Sequence, residues 1–232
     1  MRRPNFRQRG FTLVEMIFVL AIILTLIAIF LPLATSKLSD AKTAKAQADE
    51  DSISAALVSL FTDVGIWPAS HGTAPADQTL RYLVIGDPGT TGTTIVSTNP
   101  TMVGGGWVTG AAVDQINFGF APASPAQDPN NAFNHLVVNN PNANATEGDA
   151  NDYRSTGKKR WRGPYISKLG ADPFGNNYII NIGAVTGTGA GTLSTERGWI
   201  LSAGPNGALN TAATDSAVSS DDIGYIFCTR CQ

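Results

Sequence analysis

The stretch RQRGFTLVEMIFVLAIILTLIAIFLPL, residues 7–33, decides the fold of this chain. It starts with basic residues and continues from Phe11 to Leu33 as an apolar run, whose only departures are Thr12, Glu15, Thr25 and Pro32. As a helix that rises 1.5 Å per residue, this run spans about 33 Å, which is enough to cross a bilayer. The sequence therefore predicts a membrane-spanning helix near the N-terminus.

One carboxylate, Glu15, lies near the front of the apolar run. An ionisable group inside a membrane span is costly, so Glu15 needs a partner, and we expect none nearby in the span itself. The residues leave two interpretations open. Glu15 pairs with a group outside this segment, or the run is an ordinary signal-anchor helix with Glu15 at the level of the lipid headgroups.

The charge of the chain is concentrated before the apolar run. The only charged residues before Phe11 are four arginines, and their removal changes the formal net charge from −2 to −6. A basic head keeps itself in the cytoplasm and sends the rest of the chain across the membrane. The run is too long for the apolar core of a secretory signal, and no small-residue cleavage site follows it. The better cleavage position is before the run, between Gly10 and Phe11.

Composition and motifs disfavour two classes of function. The one later basic cluster, Lys158-Lys159-Arg160-Arg162, is short and is interpreted as a solvated loop, so nucleic-acid binding is not expected. The sequence has no G-x-S-x-G, no H-E-x-x-H and no phosphate-binding glycine loop. We therefore expect a protein that is not an enzyme.

The chain is predicted to consist of five segments. Residues 1–10 form a cleaved leader, 11–33 the membrane half of a long helix, and 34–64 its amphipathic half, with a bend at Pro32 and an end at Gly65. Residues 65–160 form an extended loop or insertion region. Residues 161–232 form a C-terminal β domain.

Strand composition appears at three places in the C-terminal segment, namely Tyr178–Ile182, Trp199–Ser202 and Tyr225–Cys228. The insertion region contains only short apolar pieces between turn-rich stretches, at Leu80–Ile85, Thr93–Val96, Ile116–Phe120 and Leu136–Val138. The expected fold class is therefore α+β, with a long N-terminal helix packed on a small antiparallel sheet.

The N-terminal motif Gly10-Phe11-Thr12-Leu13-Val14-Glu15 resembles the class III signal of type IV pilin-like proteins. It matches at the glycine before the scissile bond, the phenylalanine after it and the glutamate at the fifth position of the mature chain. Pro32 falls where that family often has a helix kink. The resemblance implies cleavage by a membrane prepilin peptidase, N-methylation of Phe11, and self-assembly into a helical filament with the long helices in its core.

This resemblance offers a partner for Glu15. The free amine of Phe11 is largely cationic at neutral pH. Placed against Glu15 of a neighbouring subunit, it would neutralise the carboxylate and set the axial register between helices.

Two C-terminal segments resemble the major pseudopilin of type II secretion. They are Gly163-Pro164-Tyr165-Ile166 with Asp172-Pro173-Phe174-Gly175-Asn176 and Tyr178, and the strand and loop Ile200–Gly207. Phe174 and Asn177 stand where that family has Trp and Pro. The likeness covers residues 10–64 and 161–223, and most of residues 66–160 has no counterpart.

The family loop binds calcium. The resemblance implies a calcium site with the Ala203 carbonyl and Asn206, which replaces the usual aspartate, and with three later acids, Asp215, Asp221 and Asp222. Carboxylates in a Gly/Ser/Asn-rich loop suit an oxygen cage, but an ordinary acidic surface loop has the same composition.

Cys228 and Cys231 form a C-x-x-C pair near the end of the sequence. Outside the cytoplasm, a small-loop disulfide is the leading interpretation. A zinc site would need two further ligands, and a redox site would need a helix after the first cysteine.

The sequence is interpreted as a filament subunit, most similar to a type II secretion pseudopilin, anchored in the inner membrane with its C-terminal domain in the periplasm. Expected partners are a prepilin peptidase, an inner-membrane assembly platform and minor pseudopilins. The alternatives are a type IV pilus pilin, major or minor, used for adhesion, motility or DNA uptake, and a membrane-anchored periplasmic enzyme or binding domain.

Overall fold

A computed structural model describes residues 10–69, 80, 82–85, 101–102, 131–141, 150, 152–167, 170–186 and 197–228. The expected apolar pieces Thr93–Val96 and Ile116–Phe120 lie outside these ranges. The contacts of the chain divide it into two units, Met1–Lys42 and Thr43–Gln232.

The first element of the structure is one long helix, α1 (Leu13–Val64, 52 residues). Pro32 lies inside it. A proline there cannot donate to the carbonyl four residues earlier, and the prediction of one long helix is nevertheless confirmed. The hydroxyl of Thr35 donates to the Pro32 carbonyl over 2.9 Å. A bend at Pro32 stays a prediction.

Helix α1 ends where the sequence predicts. Gly65 has a φ of 87°, a left-handed conformation that glycine adopts without steric cost, and its N–H donates to the Phe61 carbonyl over 2.8 Å. The exposed basic cluster then stabilises this end: Lys159 Nζ donates to the Thr62 carbonyl (2.9 Å) and Arg162 pairs with Asp63 (3.4 Å). Cations are favourable at a helix C-terminus, so Lys159 of the expected solvated loop also caps the helix, while Arg162 binds the Asp63 side chain in its last turn.

The main sheet has four strands, which are β1 (Tyr82–Ile85), β3 (Tyr178–Asn181), β4 (Gly198–Ser202) and β6 (Ile223–Cys228). They are antiparallel and lie in the order β1-β3-β4-β6. The shorter elements are β2 (Thr101–Met102), which pairs in parallel with β5 (Ala208–Leu209), and two four-residue helices, α2 (Phe133–Leu136) and α3 (Gly183–Thr186).

Both faces of β1, β3 and β4 are buried, whereas β6 is mostly half-buried. Alternate strand residues belong to a cluster that also contains the α1 residues Ile53, Ala56, Leu57 and Leu60. The intervening residues belong to a second cluster, and its members are Tyr82, Ile179, Trp199, Leu201, Ala203, Leu209 and Ala213. This alternation follows from the two-residue period of a strand. One apolar layer therefore lies on each side of the sheet.

The expected α+β architecture is confirmed. The three predicted strands appear as β3, β4 and β6, with ends that shift by one or two residues. The fourth strand, β1, comes from the region that was expected to be a loop, and Leu83 and Leu136 of that region are fully buried. Part of the expected insertion therefore belongs to the core.

Candidate functional site

The N-terminus of α1 is built by a reciprocal contact between Thr12 and Glu15. The Glu15 oxygen Oε2 accepts hydrogen bonds from the Thr12 backbone N–H and from its hydroxyl, each over 2.8 Å. In return, the Thr12 hydroxyl oxygen accepts the Glu15 N–H over 3.2 Å. Since α1 begins at Leu13, Thr12 is the N-cap residue and Glu15 the third helical residue of a capping box.

This contact corrects the expectation that Glu15 has no partner nearby. Its partner is Thr12, three residues earlier, and the signal was available in the sequence as a Thr-x-x-Glu motif before an apolar run. The contact satisfies hydrogen bonds but supplies no positive charge. In the part of the chain that the structure describes, the second carboxylate oxygen, Oε1, accepts no hydrogen bond.

Gly10 and Phe11 precede this cap and are exposed. A Cβ added at Gly10 would meet no atom within 4 Å, so the fold itself places no steric demand for glycine at this position. Phe11 is 83% exposed, although exposure of a phenylalanine side chain to water is unfavourable. Both identities therefore point to interactions outside this chain.

Between Glu15 and Thr35, the surface of α1 is apolar on all sides apart from Thr25. Its most apolar 18-residue window has a mean hydropathy of 3.0 and none of it is buried. Among the described residues, α1 is the one helix long and apolar enough to cross a membrane. The hydroxyl of Thr25 is satisfied within the helix by donating to the Ile22 carbonyl over 2.8 Å. The stretch suits an apolar environment, either lipid or other helices.

Charged pairs begin where the apolar surface ends. Lys37 lies 3.5 Å from Asp40, and Lys45 lies 2.7 Å from Asp49, both one helical turn apart. The pairs are exposed and contribute little to stability. Their position marks the part of α1 that tolerates water.

A buried acid, Glu50, lies on the face of α1 that packs in the domain. Glu50 is 1% exposed. The Ser202 N–H donates to its carboxyl group, and its Oε1 has no hydrogen-bond partner within the described residues. The pKa of Glu50 is raised to about 8, chiefly by burial; the Ser202 bond lowers it, and the charges of Asp51, Asp172 and Asp49 act in the same direction as burial. The group is therefore protonated at neutral pH.

Ser202 is also held by Asp172, which is 4% exposed. Its hydroxyl donates to Asp172 Oδ2 over 2.5 Å, while Asp172 Oδ1 accepts the N–H groups of Phe174 (2.9 Å) and Asn176 (2.7 Å). Helix α1, the 172–176 turn and the end of β4 are thus joined at one serine. As a charged residue in the predicted amphipathic half of the helix, Glu50 would be expected on its polar face. Its spacing of four from Ala46 and three from Ile53 was the signal that it lies on the buried face.

The predicted calcium ligands lie in the loop between β4 and β6, residues 203–222. Ala203 is buried. Asp215 Oδ2 accepts the Ala212 N–H over 2.8 Å, and Asp222 Oδ2 accepts the N–H groups of Asn210 and Thr211 and the Thr211 hydroxyl, at 2.7–2.9 Å. The structure brings Asn206 and Asp221 into direct contact, whereas Asp215 and Asp222 bind separate parts of the loop.

Hydrogen bonds within the loop already engage several of these side chains. Within the residues that the structure describes, no group of three or more His, Cys, Asp or Glu side chains is placed to hold a metal ion. The Asn206 oxygen that would face a cation accepts the Ala208 N–H over 2.6 Å instead. One buried oxygen, Asp222 Oδ1, lacks a hydrogen-bond partner among the described residues. Calcium binding stays a prediction, and no role below depends on it.

Cys228 is the last residue of β6 and is disulfide-bonded. The predicted partner, Cys231, lies outside the described residues, so the pairing of these two stays a prediction.

Comparison with known proteins identifies the N-terminal segment. Residues 5–31 match the family model described as the prokaryotic N-terminal methylation motif. No curated protein and no solved structure matches the chain. The chain thus carries, ahead of an α+β domain, the N-terminal motif of type IV pilin-like proteins, which are structural proteins rather than enzymes.

Proposed function

We propose that this chain is a structural subunit of a helical filament, most similar to the major pseudopilin of a type II secretion system. The observation that carries the proposal is the N-terminal methylation motif on a helix whose first half is apolar and exposed on every side. Such a surface needs lipid before assembly and neighbouring helices after it. One helix serves both states.

The proposed processing follows from the exposed N-terminus. A prepilin peptidase cuts between Gly10 and Phe11, and the new Phe11 amine is methylated. The absence of any steric need for glycine at position 10 supports recognition by an enzyme as the reason for that residue. Intact mass of the mature protein tests both steps, because it reports the loss of residues 1–10 and the added methyl group. A mature chain that retains residues 1–10 contradicts the proposal.

Assembly is proposed to use Glu15 as an intermolecular partner. The carboxylate caps its own helix through Oε2, and Oε1 has no hydrogen bond in the described part of the chain. The methylated amine of Phe11 in a neighbouring subunit would pair there. In apolar surroundings each charge is costly alone, so the pair favours one axial register between helices.

The proposed location is the inner membrane, with the domain that follows α1 in the periplasm. An assembly platform and minor pseudopilins of the same system are the expected partners. The resemblance of residues 163–178 and 200–207 to the major pseudopilin is what favours secretion. The 172–176 turn gives a physical reason for the aspartate there, since Asp172 accepts two backbone N–H groups of that turn.

A type IV pilus pilin is the alternative, because it would carry the same N-terminal motif. Deletion of the chain separates the two. Loss of export of folded proteins supports the secretion role, and loss of long surface fibres with normal export supports the pilus role. A membrane-anchored periplasmic enzyme or binding domain predicts neither cleavage at Gly10 nor any effect of Glu15→Ala.

A further inference from the structure

The loop between β4 and β6 folds back on itself so that its two ends meet. Gly204 near its start has a φ of 60°, and a Cβ there would lie 2.1 Å from the carbonyl oxygen of Asp221 near its end. Only glycine allows this approach. The Asn176 amide donates to the Gly204 carbonyl over 2.9 Å, which ties the same point to the 172–176 turn.

Asn206 and Asp221 close the loop next to this crossing. The Asn206 backbone N–H donates to Asp221 Oδ2 over 2.9 Å, and the Asn206 side-chain amide donates to Asp221 Oδ1. The Ser220 hydroxyl adds a third bond to the same carboxylate, over 3.0 Å. The Asn206 side chain is held in this orientation because its oxygen accepts the Ala208 N–H.

We propose that the Asn206–Asp221 contact latches this loop in place of a bound cation, so that the fold of the loop does not depend on calcium. A carboxylate at position 206 would face the carboxylate of Asp221 at this exposed contact, and a cation between the two acids would relieve their repulsion. The amide of asparagine supplies the positive end of a dipole instead. Asp221 therefore receives donors from the protein at the place where a cation would otherwise supply charge.

The test uses the full-length processed protein in detergent micelles. Thermal unfolding of the domain is followed by tryptophan fluorescence, to which Trp199 in the adjacent core contributes. The wild type is expected to have the same Tm with excess calcium and with chelator. Asn206→Asp is expected to lower the Tm by about 3–10 °C in chelator, since it places two carboxylates in contact. Calcium is expected to recover most of that loss.

Two further variants separate the latch from general effects. Asn206→Ala removes the side-chain bond and is expected to lower the Tm by a similar amount, with no response to calcium. Ser216→Asp adds a carboxylate at an exposed position of the same loop and is expected to leave both values unchanged. A wild-type Tm that rises with calcium overturns the proposal. So does an Asn206→Ala protein as stable as the wild type, and these two measurements remain decisive if Asn206→Asp does not fold.

Discussion

Glu15 and Thr12 hold each other at the start of α1: one carboxylate oxygen accepts both the N–H and the hydroxyl of Thr12, at 2.8 Å each. The helix cap uses Oε2 alone. The proposed pair with a neighbouring Phe11 amine can use Oε1, so a subunit need not lose its helix cap when it enters a filament. The two roles of Glu15 are therefore separable by mutation.

Glu15→Ala is expected to give a cleaved, membrane-inserted subunit that assembles poorly, because the carboxylate's bonds to Thr12 and the proposed charge pair are both lost. Glu15→Gln keeps an acceptor for Thr12 but removes the charge, and we expect assembly to fall almost as far. Filament yield from sheared cells, normalised to the membrane-bound subunit, measures both. Normal filaments from Glu15→Ala would show that this carboxylate is not needed for assembly.

Thr12→Val is expected to loosen the first turn of α1, because it removes one bond to Glu15 and the acceptor for the Glu15 N–H. Loss of an N-cap side chain corresponds to about a fivefold shift in a local opening equilibrium. Amide hydrogen exchange at Glu15 and Met16 in micelles measures it. Thr12→Ser keeps the hydroxyl and serves as the control. Equal exchange in the valine and serine variants would contradict the capping role.

Glu50 is expected to make the domain less stable as the pH rises. Its pKa is about 8 in the folded protein and 4.5 for an unperturbed glutamate, so between these values the folded state binds one proton more than the unfolded state. Stability is therefore full below the lower value and falls through this window, by about 5 kcal/mol in all. Chemical unfolding at several pH values from about 5 to 9 measures the slope.

Glu50→Gln imitates the protonated acid and is expected to flatten this slope. Asp40→Asn is the matched control, since Asp40 is an exposed acid on the same helix and is not among the charges that raise the pKa of Glu50. A slope that persists unchanged in Glu50→Gln would assign the pH dependence to other groups.

Asp172 is expected to be the most sensitive residue of the 172–176 turn. Asp172→Ala removes the acceptor for two backbone N–H groups and for the Ser202 hydroxyl, all in a buried position. We expect a loss of about 2–4 kcal/mol in the free energy of unfolding. Asp172→Asn retains one oxygen and should lose less. Ser202→Ala, which removes one donor, should cost least, and the reverse order would contradict this account.

Much of the fold could be read from local patterns. The long apolar run predicted α1, Gly65 predicted its end, and β-branched and aromatic residues predicted β3, β4 and β6. Strand β1 was not predicted, because its four apolar residues lie in a turn-rich region and resemble any short apolar piece. Its pairing with β3, almost one hundred residues later, is a long-range contact that no local pattern contains.

The sites show the same division. The Thr12–Glu15 cap is a local motif that the sequence contains in full, and its hydrogen bonds are seen in the structure. The Glu50–Ser202 contact joins residues far apart in the chain, and the Asn206–Asp221 contact joins residues 15 apart across an irregular loop, so no local spacing indicates them. The resemblance placed Asn206 and Asp221 in one loop but could not say whether a cation or a hydrogen bond joins them.

Consecutive residues and their hydropathy were enough to predict a cleavage position at the N-terminus and a helix that must leave water. Which acids are buried, which are paired and which hold the domain together follows from the folded domain alone. Those outcomes depend on desolvation and on donors brought from distant segments, and these quantities exist only once the sheet has formed on α1.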